Sequence, residues 1–292
     1  MPIDHPLIVS TALLAEHLDN PLWTIIDCRF DLTNTEVGEE SYLAAHIPGA
    51  SYAHLDKDLS GPTTGHNGRH PLPDRKAMGL AFGRFGISSE HQVVAYDQST
   101  SMFASRLWWM LRHAGHERAA VLDGGWAKWQ HEGLPAHSGM ELRKPTAFVP
   151  NWRPDLLLDA QAILTSLDES RLTLLDARSA KRFDGSTETL DPIGGHIPGA
   201  LNHPFQTNVR ENGTFHDSSE LRRRFKTLLG STPPEKIVSY CGSGVTACHN
   251  LLALARAGLD GGKLYPGSWS EWITDSSRPM AVGEENHSVQ SS

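Results

Sequence analysis

Cysteine is scarce in this chain, with three in 292 residues, at Cys28, Cys241 and Cys248. They are too few and too scattered for a disulfide framework, and none stands in a C-x-x-C pair of the kind that holds zinc. An odd number of thiols fits a reducing compartment, so the expected location is the cytoplasm. Long apolar runs are missing as well: no stretch approaches 18 uninterrupted apolar residues, and no membrane-spanning helix is expected. The opening Met1-Pro2-Ile3-Asp4-His5 has no basic segment leading into an apolar one, so no secretory signal is expected either. Positive charge is in deficit, with 26 Lys and Arg against 34 Asp and Glu and a formal net charge of −8. A protein whose main work is neutralising nucleic-acid phosphates has the opposite balance, and no nucleic-acid partner is expected.

What is present is enough apolar material, 39% of residues, for a sizeable core, in a chain long enough for two domains. The chain also repeats itself. Ile26-Asp27-Cys28-Arg29 is answered by Leu175-Asp176-Ala177-Arg178, and His46-Ile47-Pro48-Gly49-Ala50 by His196-Ile197-Pro198-Gly199-Ala200. Val93-Val94-Ala95-Tyr96-Asp97 returns as Ile237-Val238-Ser239-Tyr240-Cys241, and Gly124-Gly125-Trp126 as Gly267-Ser268-Trp269. The offset drifts from 149 at the Asp to 143 at the Trp, yet the order of the four landmarks is kept.

Within each half, short apolar runs alternate with helical patterns. Trp23–Asp27, Gln92–Tyr96 and Ala119–Leu122 read as buried strands in the first half, and 172–176, 236–240 and Lys263–Leu264 in the second. Residues 102–113 and 247–257 have helical spacing, with Gly115 and Gly258 just past their ends. The implied class is α/β, two tandem domains, each a parallel sheet flanked by helices on both faces. The first domain is expected over 1–135 and the second over 157–280. The proline-bearing stretch 136–156 reads as a linker, and 281–292 as a flexible tail.

The repeat is an internal control. Residues found in both halves, such as Arg29 and Arg178, His46 and His196 and the Trp pairs, are expected to serve the fold. Residues found in one half are candidates for chemistry. Cys241 is the first of these, because the first half has Asp97 in its place. It ends a strand and opens the loop Gly242-Ser243-Gly244-Val245-Thr246 ahead of a helix, the end of a parallel sheet where ligands bind. Successive N–H groups in such a loop form a nest for an anion and, with the positive end of the helix, favour thiolate over thiol. The competing reading of a free cysteine is a small buried hydrophobe, and that reading suits Cys248 better than a redox partnership does.

The doubled D-x-R and HIPGA elements, with Cys241-Gly242-Ser243-Gly244-Val245-Thr246-Ala247 in the second half only, resemble the two-domain rhodanese-type sulfurtransferases over nearly the whole chain. The loop looks like that of the 3-mercaptopyruvate branch; thiosulfate-using members carry basic residues beside the cysteine. The resemblance implies a Cys241 persulfide that takes sulfur from 3-mercaptopyruvate, releases pyruvate and passes sulfur to a thiol, thioredoxin or cyanide, with no cofactor and no metal. It implies that Arg182 binds the donor carboxylate, and that Gly242, Gly244, Val245 and Thr246 belong to the substrate site, their amides holding the persulfide anion. It also implies that Ser243, His70 and Asp56 form a proton relay. The family's second carboxylate-binding arginine is absent from 187–195. A thiosulfate-preferring enzyme and a non-turnover sulfur carrier remain alternatives. A cysteine phosphatase is disfavoured because Ala247 stands where C-x5-R needs arginine. The spacings His66/His70 and His113/His116 lack the further ligands a metal needs. Two halves building one cleft suit a monomer or a weak dimer.

Overall fold

A computed structural model of the chain describes residues 6–169 and 171–283. The first half runs β1 (Ile8–Val9), α1 (Thr11–Ala15), β2 (Trp23–Asp27), α2 (Val37–Ala44), β3 (Ala50–Tyr52), α3 (Arg75–Arg84), β4 (Gln92–Tyr96), α4 (Ala104–His113), β5 (Ala119–Leu122) and α5 (Gly125–His131). The second runs α6 (Ala160–Glu169), β6 (Thr173–Asp176), α7 (Ala180–Phe183), β7 (Leu201–Asn202), α8 (Ser218–Leu229), β8 (Ile237–Tyr240), α9 (Thr246–Arg256), β9 (Lys263–Leu264) and α10 (Ser268–Trp272). The sheets have strand orders β1-β5-β4-β2-β3 and β7-β6-β8-β9, with all pairs parallel. Parallel strands need crossovers, and the helices that make them cover both faces of each sheet. Strands β4 and β8 are accordingly buried along their whole length.

The predicted strands and the two predicted helices appear within two residues of their expected ends. Three strands had no forecast: β1, β3 and β7 are two or three residues long, too short to show a period. The parallel bridge Leu157 to Leu264 repeats in the second half the edge pairing of β1 with β5.

Among the described residues, three apolar clusters form the core. The outer face of the first sheet packs Tyr42, Tyr96, Trp126 and Trp129, and that of the second packs Phe183, Tyr240, Trp269 and Trp272. The inner faces share one cluster that crosses from half to half through α4 and α9, with Trp108 and Leu111 on one and Leu252 and Leu254 on the other. Each such side chain contributes about 1.5–3 kcal/mol on burial, so the two halves are joined by core.

The shared residues do structural work in duplicate. Asp27 accepts from Arg29 Nε and Nη2 and from the Tyr96 hydroxyl, and the Arg29 guanidinium lies 4.9 Å from the Trp126 ring centre. Asp176 accepts from Arg178 in the same way, with Trp269 at 4.8 Å. His46 Nδ1 and His196 Nδ1 each lie 2.8 Å from a backbone carbonyl, of Tyr42 and Phe183.

The stretch 136–156 lies along the first half, with N–H groups of Thr146, Asn151 and Arg153 donating to carbonyls of Gly83, Ala114 and His113. One expectation needs correction: the tail does not begin at residue 281. Ala281 exchanges two backbone hydrogen bonds with His196, and the Gly283 N–H donates to Asp184, because this segment closes the edge beside the HIPGA turn. The rest of that predicted tail, 284–292, lies outside the described residues.

Candidate active site

Strand β8 delivers Cys241 to the carboxyl end of the second sheet. The turn after β9 holds it there: the Cys241 N–H donates to Ser268 Oγ at 3.0 Å, and its carbonyl accepts from the Trp269 N–H at 3.0 Å. Ser268 adopts φ +55°, the conformation that Gly125 has at the matching place in the first half. The serine accepts that rare backbone and supplies a hydroxyl that glycine lacks. The chain then folds back so that the Gly244 N–H donates to Cys241 Sγ at 3.1 Å. Gly244 has φ +77°, and a Cβ there would come 2.2 Å from the Pro266 carbonyl oxygen, so the turn requires glycine. Helix α9 starts two residues later and brings its positive end to the loop.

The sulfur is nearly buried, with Cys241 2% exposed, and opens into a cavity of about 190 Å³. Its walls include Gly242, Ser243, Val245 and Thr246 from the loop and, across from them, Arg69 and Arg182. A wider cavity of about 790 Å³ adjoins it, shares Arg69, Leu32 and Leu190, and is bordered by Asp56 and His70.

His70 arrives from the first half on the loop that follows Leu59. That loop rests on the second half: the Arg69 N–H donates to Ser270 Oγ, and at Gly68 a Cβ would lie 2.7 Å from the Gly267 carbonyl oxygen. His70 Nδ1 then lies 2.8 Å from Ser243 Oγ, and Nε2 lies 3.4 Å from Asp56 Oδ1, at the outer edge of hydrogen-bond distance. Burial, together with the nearby Arg106 and Arg69 cations, lowers His70 to about 4. The ring is therefore neutral at pH 7. The arrangement suits Nε2–H donating to Asp56 and Nδ1 accepting from the Ser243 hydroxyl. The three residues singled out for a relay are thus together, across 173 residues of sequence between His70 and Ser243.

Arg182 is also in place, held from behind. Its Nε donates to both Glu188 oxygens (2.8 and 2.9 Å) and its Nη2 to Asp191 Oδ2 (2.8 Å). The other Asp191 oxygen accepts from Arg69 Nη1. A Cβ built on Gly242 would meet Arg69 Nη2 at 2.8 Å and Arg182 Nη2 at 3.2 Å, so both guanidinium groups close over the residue after Cys241. Arg69 is lowered by its burial and by Arg182, against the opposing influence of Cys241. The segment 187–195, where a second arginine was missed, supplies instead the two carboxylates that fix one arginine and recruit another from the other half. Sequence reasoning overlooked Arg69 and Ser268. Arg69 could have been suspected as the neighbour of His70; nothing local marked Ser268.

The first half retains the cradle and fills it. Asp97, in the place of Cys241, accepts from the N–H groups of Ser99 and Ser101 on one oxygen and of Phe103 and Ala104 on the other, at 2.8–3.2 Å. Ser101 has φ +63°, close to that of Gly244. A strand-end loop that turns amides back onto the residue ending the strand is thus common to both repeats, four amides meeting the Asp97 carboxylate and that of Gly244 meeting Cys241 Sγ.

A sequence profile of the rhodanese-like domain matches residues 10–132 and again 159–275. The chain belongs to the rhodanese-like family. Among rhodanese-like proteins it is 43% identical over 279 residues to a Pseudomonas aeruginosa protein named as a probable 3-mercaptopyruvate sulfurtransferase, covering 95% of this chain and 98% of that one. It is 34% identical to the rat thiosulfate sulfurtransferase, covering 91% of each. The crystal structure of a rhodanese-fold 3-mercaptopyruvate sulfurtransferase from Escherichia coli superposes with a TM-score of 0.79 at 34% identity, over 90% of this chain and 99% of that one. No helix among the described residues is long and apolar enough to cross a membrane.

Proposed function

We propose that this rhodanese-like protein is a sulfurtransferase that takes sulfur from 3-mercaptopyruvate and hands it to a thiol through a persulfide on Cys241. The observation that carries the reading is the Cys241 sulfur, held by the Gly244 N–H in a 190 Å³ cavity roofed by Arg69 and Arg182. A donor with a carboxylate remote from its sulfur suits that layout, because the carboxylate meets the guanidinium groups while the sulfur meets Sγ. In the first half-reaction the Cys241 thiolate attacks the donor sulfur and the C–S bond breaks. Its electron pair goes to the enolate of pyruvate. The donor thiol proton passes through Ser243 and neutral His70 to the enolate carbon, giving pyruvate and a persulfide anion. The loop amides from Gly242 to Thr246 then stabilise that anion. In the second, an acceptor thiolate, such as that of reduced thioredoxin, attacks the outer sulfur, the S–S bond breaks and Cys241 leaves as thiolate. Cyanide in the same step gives thiocyanate. The three free cysteines suit work in the reducing cytoplasm.

Thiosulfate as donor is the second reading, and one observation favours it: the loop side chains are neutral, yet two arginines stand against Gly242 and could meet a dianion. Turnover with the two donors side by side separates the readings, following pyruvate release and sulfur transfer with Cys241→Ser as the blank. Pyruvate release that vanishes in the variant is expected. A preference for thiosulfate overturns the donor assignment, and silence with both donors indicates a carrier.

A further inference from the structure

Arg106, on α4 of the half without a nucleophile, is fully buried. Its guanidinium donates to main-chain carbonyls: to Leu59 through Nε and Nη2 (both 3.3 Å), to His70 through Nη2 (2.9 Å) and to Gly244 through Nη1 (3.0 Å). Among the described residues no carboxylate pairs with it. Carbonyl oxygens solvate a cation without neutralising it, and a buried charge without a counter-ion is costly. The carbonyls it grips are not arbitrary. Gly244 is the residue whose N–H donates to Cys241 Sγ, and His70 is the residue hydrogen-bonded to Ser243. Burial pushes Arg106 down, and the groups that oppose it are Cys248, by charge and by a side-chain hydrogen bond, and Cys241. Cys248 is fully buried, donates its proton to the Gly244 carbonyl at 3.3 Å and is pushed up to about 12, chiefly by burial. It stays a thiol at neutral pH, which leaves Cys241.

We propose that Arg106 is the fixed counter-charge of the sulfur anion on Cys241, a positioning residue over which the active-site loop is built. The proposal rests on the covalent reading of Cys241. Thiolate and persulfide each carry one negative charge, so one immobile cation serves both half-reactions. Pinning the Gly244 carbonyl also sets the plane of the trans peptide it belongs to, and so turns the Val245 N–H the opposite way. This gives the inert repeat a part in the chemistry: it supplies His70, Arg69 and the charge beneath the loop.

The test follows the rate at which iodoacetamide alkylates Cys241, read by mass spectrometry against pH, in Arg106→Gln and Arg106→Lys, with circular dichroism to confirm folding. In the Gln variant the profile should move up by about one pH unit, roughly tenfold less thiolate below it. Turnover lost at pH 7 should partly return at pH 9. The Lys variant keeps the charge and should restore most of the profile. A folded Gln variant with the wild-type profile overturns the proposal. Should neither variant fold, the melting temperature of wild type minus that of Cys241→Ala, from pH 5 to 9, decides. It should rise with pH as the thiolate forms beside the cation, and a flat difference overturns the proposal. Alkylation needs no donor, so silence of the wild type towards mercaptopyruvate and thiosulfate would sink the donor reading without touching this result.

Discussion

A proton acceptor near pH 7 is of use to Ser243 only if it is unprotonated, and the site provides for that. Burial and two cations, Arg106 and Arg69, hold His70 at about 4, well below an ordinary imidazole. A requirement for neutral His70 therefore places no acid limb on donor turnover above about pH 5, and activity falls only as the pH approaches 4. His70→Asn keeps a side chain that can hydrogen-bond to Ser243 but cannot take a proton. It should reduce kcat for the mercaptopyruvate half-reaction by roughly 10²-fold, the usual worth of general acid–base help, with a smaller change in KM. Stopped-flow release of pyruvate measures this, and a kcat within twofold of wild type would remove the relay from the mechanism. Arg69 and Arg106 make the same point about single residues: each is remote in sequence from Cys241, and each acts on it.

At the scale of elements, the decisive piece is the irregular segment between α7 and β7. Its Glu188 and Asp191 hold Arg182, and Asp191 also holds Arg69. Asp191 is buried, and its carboxylate is shared by two guanidinium groups; neutralising it leaves both poorly directed. Asp191→Asn should raise the donor KM about tenfold while leaving acceptor kinetics little changed. An unchanged KM would mean that the arginines do not hold the carboxylate. None of this was legible in the sequence, for a physical reason. Buried strands such as β4 and amphipathic helices such as α9 have a period, and their bounds could be read within two residues. The loop Cys241–Thr246 stood out against its counterpart in the first repeat. Ion pairs between a loop of one half and a loop of the other leave no periodic trace. Neither does the seating of residues 61–73 on the turn after β9. Of the two-residue edge strands, β9 was read and β1 and β7 were not.

At the scale of the molecule, the inner core belongs to neither half alone. Trp108 and Leu111 on α4 share it with Leu252 and Leu254 on α9. A polar contact crosses the same boundary, His249 Nε2 lying 2.9 Å from the Thr100 carbonyl, and within the second half Asn208 ties His249 to His203 and Asn250. Parting the halves would expose one continuous apolar face on each, so heat should unfold the chain in a single transition at neutral pH. The same boundary makes that stability sensitive to acid. Burial lowers His249 to about 3 and His70 to about 4, whereas both titrate near 6.5 when unfolded. Between pH 6.5 and 4 the unfolded chain therefore binds more protons than the folded one, and stability is full above 6.5 and lost as the pH falls through that window. Carboxylates held low by arginine, such as Glu220 at about 2, add to this loss only once the pH reaches their ordinary range, whereas Asp27, Asp97, Asp123 and Glu271, raised by burial, work against it, so the fall between 6.5 and 5 is the histidine loss less that gain. Calorimetry should show one peak at pH 7.5 and a melting temperature roughly 5–10 °C lower at pH 5 than at pH 7. Two resolved peaks at neutral pH would refute the shared core as the joint between the repeats. A melting temperature flat from pH 7 to 5 in the wild type that is equally flat in Asp97→Asn, which removes one opposing carboxylate, would count against neutral imidazoles at this boundary.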